Sequence, residues 1–243
     1  MSFDLLFING CSHSAGSEIE GSGIGESDYN RENCFGAKLA CKLGVKKINL
    51  AIPGASNDYI ADSTMLWCLN NIEKIQNTYF LIHWTGAERT QFYYKKTAAK
   101  KYSDWVFDHF QGHVHPKNYC SSFPKEDISF IKRINKYLFM NEINWEVNKL
   151  LNIIRTQTLF RSMGANYAFY NSFTELLNKS RFKKYHKLID QTNFYNSFDK
   201  NQTFYYWALN QGHDINGQMY WHHKEPAHTD WADKLYQDLF NNV

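Results

Sequence analysis

The 243-residue chain carries 27 lysines and arginines against 24 aspartates and glutamates, which gives a formal net charge of +3. Its length suits one substantial α/β domain. The weak net charge, with no accompanying nucleic-acid motif, argues against a polynucleotide-binding protein. No apolar run approaches the roughly 20 residues needed to cross a bilayer, so we also expect no membrane span.

The cysteines and the amino terminus together indicate a cytoplasmic protein. The five cysteines are odd in number and lack the close pairing of a disulfide framework or zinc knuckle; they stand at positions 11, 34, 41, 68 and 120. Residues 1–4 pass directly into a predicted strand, so we expect no secretory signal. We therefore expect a reducing compartment.

The first predicted element is a buried strand over residues 3–8. Gly10 then permits a tight turn that presents backbone N–H groups together with the Ser12 hydroxyl. In such a turn Ser12 can attack a carbonyl carbon while its own amide helps to bind the oxyanion. Because a glycine-serine turn is more often an ordinary turn, this feature needs support from other segments.

Strand-like and helical patterns alternate along the rest of the chain, which predicts a parallel sheet. The further apolar runs of strand length lie at residues 46–52, 78–84 and 165–170. Helices are predicted over 33–43, before Gly44, over 57–75, and from near Pro124 to about Phe160. A closing helix begins near Pro226 and carries an apolar stripe formed by Ala227, Trp231, Leu235 and Leu239.

Residues 90–123 and 172–220 show little periodicity and read as insertions. In an open parallel sheet, insertions beyond the carboxyl ends of the strands can wall a ligand pocket. Their aromatic side chains either offer stacking faces to a sugar or, the stronger expectation, pack the insertion onto the core. These residues are Tyr93, Tyr94, Trp105, Phe107, Tyr205, Tyr206 and Trp207.

Three segments in this order resemble the SGNH (GDSL-like) hydrolase superfamily, particularly its divergent members in phage genomes. The first is Gly-x-Ser-x-Ser at residues 10–14, and the second is Asn-Leu-Ala-x-Pro-Gly-Ala-Ser at residues 49–56. The third lies near the carboxyl terminus, where His222 is followed by His228 and by a Trp-Ala pair at residues 231–232. The resemblance covers both ends of the chain well and the middle poorly. It implies a single-domain, three-layer α/β/α sandwich with a parallel, flavodoxin-like sheet.

The resemblance also assigns roles to individual residues. Ser12 would be the nucleophile, and its amide and that of Gly54 would bind the oxyanion. His222 would be the general base, with His223 as the alternative because the register is uncertain by one residue. His228 would be a structural histidine on the closing helix.

Two supporting groups of the family are missing from their usual places. The family has an asparagine after the third strand that donates to the oxyanion, whereas this chain has His-Trp-Thr-Gly at residues 83–86. Thr85 or Arg89 would replace that donor, and Asn57 is a further candidate. Met219 stands where the family has its acid. Asp214 is the nearest candidate, and a Ser-His dyad held by a backbone carbonyl is equally compatible.

These roles predict a serine esterase that hydrolyses a small acyl ester, with carbohydrate O-deacetylation as one candidate reaction and no cofactor. The substrate would be a small-molecule or carbohydrate ester. The alternatives are an O-acyltransferase on the same scaffold and a catalytically inactive binding or structural protein of phage origin. The oligomeric state is left open.

Two polar clusters have competing interpretations. Glu88 and Arg89 fit a structural ion pair about as well as contact with an anionic substrate group. A zinc site at His109 and His113, with a further ligand such as Cys120, is disfavoured because Gly112 weakens the helix that would pair the two histidines, so we expect no metal.

Overall fold

A four-stranded parallel sheet forms the centre of the molecule, with the strand order β2-β1-β3-β6. The strands are β1 (Leu5–Asn9), β2 (Lys46–Asn49), β3 (Thr78–Trp84) and β6 (Asn166–Asn171). The computed structural model describes residues 3–20, 27–95, 105–111, 142–216 and 222–241. The four predicted strands and their parallel pairing are confirmed.

Two short antiparallel pairs accompany this sheet. One joins β4 (Arg89–Lys95) to β5 (Trp105–Gln111), inside the first predicted insertion. The other joins β7 (Ile215–Asn216) to β8 (His222–His223) and brings the two histidines to the sheet region.

Helices cover both faces of the central sheet. They are α1 (Ser12–Ala15), α2 (Asp28–Asn33), α3 (Phe35–Leu43), α4 (Asn57–Asn70), α5 (Glu142–Met163), α6 (Lys183–His186), α7 (Phe204–Asn210) and α8 (Glu225–Phe240). As predicted, Gly44 ends α3 in a left-handed conformation. The helix predicted over 57–75 ends at Asn70 and continues as a 3₁₀ turn over Ile72–Asn77. The predicted start of the long helix near Pro124 lies outside the described residues.

The period of two along each strand produces two separate cores. Phe7, Phe80 and Phe169 point to the side covered by α4 and α5. Leu6, Ile8, Leu81 and Tyr170 point to the side covered by α3 and α8, where the predicted stripe on α8 is buried. The fold is therefore the expected three-layer α/β/α sandwich.

The second predicted insertion packs largely onto these cores. Phe182 and Phe194 are buried on one side, and Phe204 on the other. Tyr205 is also buried, whereas Tyr206 and Trp207 are only partly buried. Among the described residues, none of the helices combines the length and apolar character needed to span a membrane.

Candidate active site

The candidate site lies at the carboxyl ends of β1 and β3, where Asn9 fixes the turn that follows β1. The Asn9 amide nitrogen lies 2.8–3.1 Å from three oxygens of α4, on Ile60, Ser63 and Thr64. Its side-chain oxygen accepts a hydrogen bond from the Gly10 amide at 2.9 Å. This buried clamp sets the direction in which the chain leaves the strand, and the sequence analysis did not identify it.

Ser12 is the first residue of α1 and is only 4% exposed. The Asn49 side chain donates to the Ser14 carbonyl at 2.8 Å and so ties α1 to the end of β2. Gly16 ends the helix at φ +79°, and a Cβ there would lie 2.4 Å from the Asn30 carbonyl oxygen, so the sharp return of the chain requires glycine. As the first residue of a helix, Ser12 has an amide with no intrahelical acceptor.

Glu18 is the acidic partner of His222. Its Oε2 lies 2.6 Å from His222 Nδ1, and Glu18 is 1% exposed. Glu18 adopts φ +62°, a left-handed conformation that costs a non-glycine residue about 1 kcal/mol. This conformation follows the turn at Gly16 and directs the carboxylate inward. Asp214, the nearest acidic candidate in the sequence, does not occupy this position, because its contact with the histidine pair is made by its main-chain oxygen to His223.

The environment of His222 keeps its imidazole neutral near pH 7. Burial lowers the pKa of His222 below its ordinary value, Glu18 acts in the opposite direction, and the Arg89 charge lowers it further. With the Glu18 carboxylate as acceptor, Nδ1 carries the hydrogen and Nε2 is left as the basic atom. This is the tautomer that a general base requires.

His13 connects the serine segment to the histidine segment. Helix α1 packs beside β8, and the ring centroids of His13 and His222 are 5.1 Å apart. The structure thus brings the front and the rear of the chain together. Burial, followed by the neighbouring His222, holds the pKa of His13 well below its usual range, so this ring is uncharged.

His223, the alternative base, faces main-chain oxygens instead. Its Nε2 lies 3.0 Å from the Tyr205 carbonyl oxygen, and its Nδ1 lies 3.3 Å from the Asp214 carbonyl oxygen. Both ring nitrogens therefore face main-chain oxygens, and the single N–H of the neutral ring can donate to one of them. Among the described residues, Asp214 meets His223 through this main-chain contact, which links the segment before β7 to β8.

His228 has the structural role that the sequence analysis expected. Its Nδ1 accepts the Phe35 amide at 3.2 Å and so satisfies a free N–H at the start of α3. Burial lowers the pKa of His228 to about 3. It is a neutral link between α8 and α3.

The candidate oxyanion donors have different surroundings. Gly54 has φ +76°, and a Cβ there would meet no heavy atom of the described residues within 4 Å, so there is open space beside it. The Asn57 amide nitrogen lies within hydrogen-bond distance of the Thr85 and Gly86 carbonyl oxygens, and its Oδ1 accepts from the Thr85 amide. Asn57 therefore clamps the end of β3.

Arg89 and Phe173 contact each other near His13. Arg89 is 8% exposed, and its guanidinium carbon lies 4.7 Å from the centre of the Phe173 ring. Phe173 also lies against His13, with ring centroids 4.5 Å apart. The disfavoured zinc site is not described, because His113 and Cys120 lie outside the described residues, as does the side chain of His109.

The model of a family of unknown function, DUF6071, matches residues 18–200. The chain belongs to this family. The matched part of this DUF6071 member begins at Glu18 and includes Arg89, while Ser12 and His222 lie outside it. No curated protein shows significant similarity to the chain.

Two solved structures are similar to the chain at low identity. The psychrotrophic esterase EstA from Pseudoalteromonas sp., inhibited by monoethylphosphonate, is 13% identical with a TM-score of 0.46, over 99% of this chain and 100% of its own. A carbohydrate esterase, described as having divergent catalytic and non-catalytic binding functions in its active site, is 11% identical with a TM-score of 0.47, over 98% and 69%. Likeness at this level carries no conclusion about activity, and a phage origin stays a prediction.

Proposed function

We propose that this protein is a serine esterase of the SGNH type that hydrolyses a small acyl ester. The observation that carries the proposal is the buried His222–Glu18 pair beside the helix that begins at Ser12. A serine, a neutral imidazole and a carboxylate that fixes the imidazole tautomer are the three groups that nucleophilic acyl transfer requires. Carbohydrate O-deacetylation is the candidate reaction that we favour.

In the proposed mechanism, Ser12 Oγ attacks the ester carbonyl carbon while His222 Nε2 takes its proton. The negative charge that develops on the carbonyl oxygen is stabilised by the amides of Ser12 and Gly54. The tetrahedral intermediate then expels the alcohol, which receives the proton from His222. Water, deprotonated by the same imidazole, attacks the acyl-enzyme, and the acid and free Ser12 are released.

Labelling with a fluorophosphonate probe tests the nucleophile and the base together. We expect a covalent adduct on Ser12, located by peptide mass spectrometry, and loss of labelling in Ser12→Ala and His222→Ala. Ser17→Ala is the matched control, because Ser17 is a second buried serine five positions further along the chain. An adduct elsewhere, or labelling that persists in Ser12→Ala, would overturn the proposal.

Turnover of p-nitrophenyl acetate separates the esterase from the acyltransferase alternative. An esterase releases acetate at a rate that an added sugar acceptor does not change. A transferase is faster with the sugar present and yields an acetylated sugar. Absence of both labelling and turnover would favour the binding-protein alternative.

A further inference from the structure

Arg89 is a buried positive charge that the proposed mechanism does not use. Arg89 is the first residue of β4 and follows the turn after β3. Its backbone amide donates to the Gly86 carbonyl at 3.3 Å. Arg89 Nε and Nη1 have no hydrogen-bond partner among the described residues. Removing a guanidinium from water without supplying acceptors costs free energy, and a contact with an aromatic face, here Phe173, offsets only part of it.

The position of Arg89 relates this charge to the candidate site. Phe173 contacts both Arg89 and His13, and His13 in turn lies against His222. The Arg89 charge also lowers the pKa of both His13 and His222. A charged donor that is nine-tenths buried and has unpartnered nitrogens beside the base is arranged for an acceptor from a ligand.

We propose that Arg89 binds a carboxylate of the substrate, so that the preferred esters carry a carboxylate near the scissile bond. This inference rests on the proposed function. A guanidinium pairs with carboxylates through short, charge-assisted hydrogen bonds. A substrate carboxylate is charged throughout the lifetime of the enzyme–substrate complex, whereas the oxyanion of the tetrahedral intermediate exists only transiently. Recognition of a carboxylate changes the preference among esters, whereas an oxyanion donor would act on every ester alike.

Two substrate pairs test the proposal and locate the carboxylate. The alcohol-side pair is 4-acetoxybenzoate and its methyl ester, and the acyl-side pair is monophenyl adipate and its methyl ester. We expect the wild type to prefer the anionic member of one pair in kcat/KM. In Arg89→Met this preference should fall by about 10–100-fold relative to the wild type. An equal loss for both members of each pair, or no wild-type preference in either, would overturn the proposal.

A direct binding measurement keeps this test independent of catalysis. Calorimetric titration with 4-acetamidobenzoate and 4-acetamidobenzamide, which are not ester substrates, should show at least about tenfold tighter binding of the carboxylate. Arg89→Met should lose this difference, and Arg89→Lys, which keeps the charge, should retain part of it. Equal affinities in the wild type, together with no preference for the anionic member of the acyl-side pair, would contradict the proposal even if esterase activity were present. If none of the four esters is hydrolysed but the carboxylate probe still binds more tightly than the amide probe, the proposed esterase function fails and the carboxylate site stands.

Arg181→Met is the control for loss of one positive charge, because Arg181 is an exposed arginine. We expect it to keep the wild-type preference in both experiments. A loss as large as that of Arg89→Met would mean that net charge, and not a specific site, attracts the anion.

Discussion

Buried polar side chains on α5 and those at the candidate site differ in how they are satisfied. On α5, Lys149 donates to the Thr174 carbonyl, Asn152 donates to the Asp58 carboxylate, and Gln157 bonds to the backbone of residues 188 and 190. At the site, His13 and His83 are equally buried, yet neither ring has a hydrogen-bond partner among the described residues.

This difference separates polar groups that hold the fold from polar groups that are available for chemistry. A buried polar atom with its partner contributes modestly to stability, whereas one without a partner costs free energy. Such a cost is tolerated most readily where a ligand supplies the missing partner. We therefore expect substitutions on α5 to change stability, and substitutions of the groups that serve the reaction to change its rate.

Glu18→Gln should produce the largest effect. Loss of the carboxylate removes the group that fixes the His222 tautomer, so we expect kcat to fall by about 10²–10⁴-fold. Because Glu18 raises the pKa of His222, its loss should also move the acidic limb of the pH–rate profile to lower pH. Steady-state kinetics across the acidic range measure both changes.

Asp214→Asn is the matched control for this substitution, since Asp214 meets His223 only through its main-chain oxygen. We expect its kcat to stay within about twofold of the wild type, as for other substitutions away from the reacting groups. If Asp214→Asn slowed turnover as much as Glu18→Gln, the assignment of the acid to Glu18 would be refuted.

His83→Phe should change how stability depends on pH. The His83 ring lies against Phe35 and Tyr170, and burial lowers its pKa to about 3. The unfolded chain, with a histidine pKa near 6.5, takes up the proton first, so this histidine removes stability as the pH falls below about 6.5. Between about pH 7 and pH 5 the loss is about 2 kcal/mol for this single group.

We expect His83→Phe to abolish this part of the acid sensitivity, as measured by urea unfolding at the two pH values. A phenylalanine of similar shape fits the aromatic surroundings without a titrating nitrogen. An unchanged difference between the two pH values would show that His83 is not the protonating group.

Gln157→Met tests the satisfied side of the comparison. It removes the bonds that tie α5 to the segment at residues 188–190, so the free energy of unfolding should fall by about 1–2 kcal/mol. Esterase kcat/KM should be unchanged, because Gln157 lies on the α5 side of the sheet, away from Ser12 and His222. Urea unfolding together with a rate assay checks both expectations, and a rate loss without a stability loss would break the distinction between the two regions.

Thr85→Val should have the smallest effect. Thr85 Oγ1 is buried without a partner among the described residues, so an isosteric valine should raise the free energy of unfolding by up to about 1 kcal/mol. If Thr85 is instead an oxyanion donor, kcat falls by about 10²–10³-fold. Kinetics and thermal unfolding of one variant decide between the two roles.

The sheet and the position of the site followed from local patterns in the chain. Apolar runs of strand length separated by helical segments predicted β1, β2, β3 and β6, because continuous apolar runs are what a sheet covered on both faces requires. The turn at Gly10 and the stripe on α8 were equally readable, since glycine conformations and helical periodicity are local properties.

The partners of the site residues were not local. Glu18 contacts His222 across 204 positions of sequence, and nothing in the pattern around Glu18 marks it as the partner of this histidine. Its role depends on the turn at Gly16 and on the left-handed backbone at Glu18 itself. That the carbonyls of residues 205 and 214 face His223, and not His222, is likewise set by contacts between distant segments.

Residue order alone was enough for the layered α/β architecture, the serine on its turn and the histidine pair near the carboxyl terminus. Three-dimensional packing was needed to pair His222 with Glu18, to place both nitrogens of His223 opposite main-chain oxygens, and to leave Arg89 buried with nitrogens that have no partner among the described residues. The physical reason is the separation in sequence between the residues that interact. Strand and helix patterns are set by neighbouring residues, whereas a hydrogen bond between distant segments forms only after the core has fixed their distance and orientation.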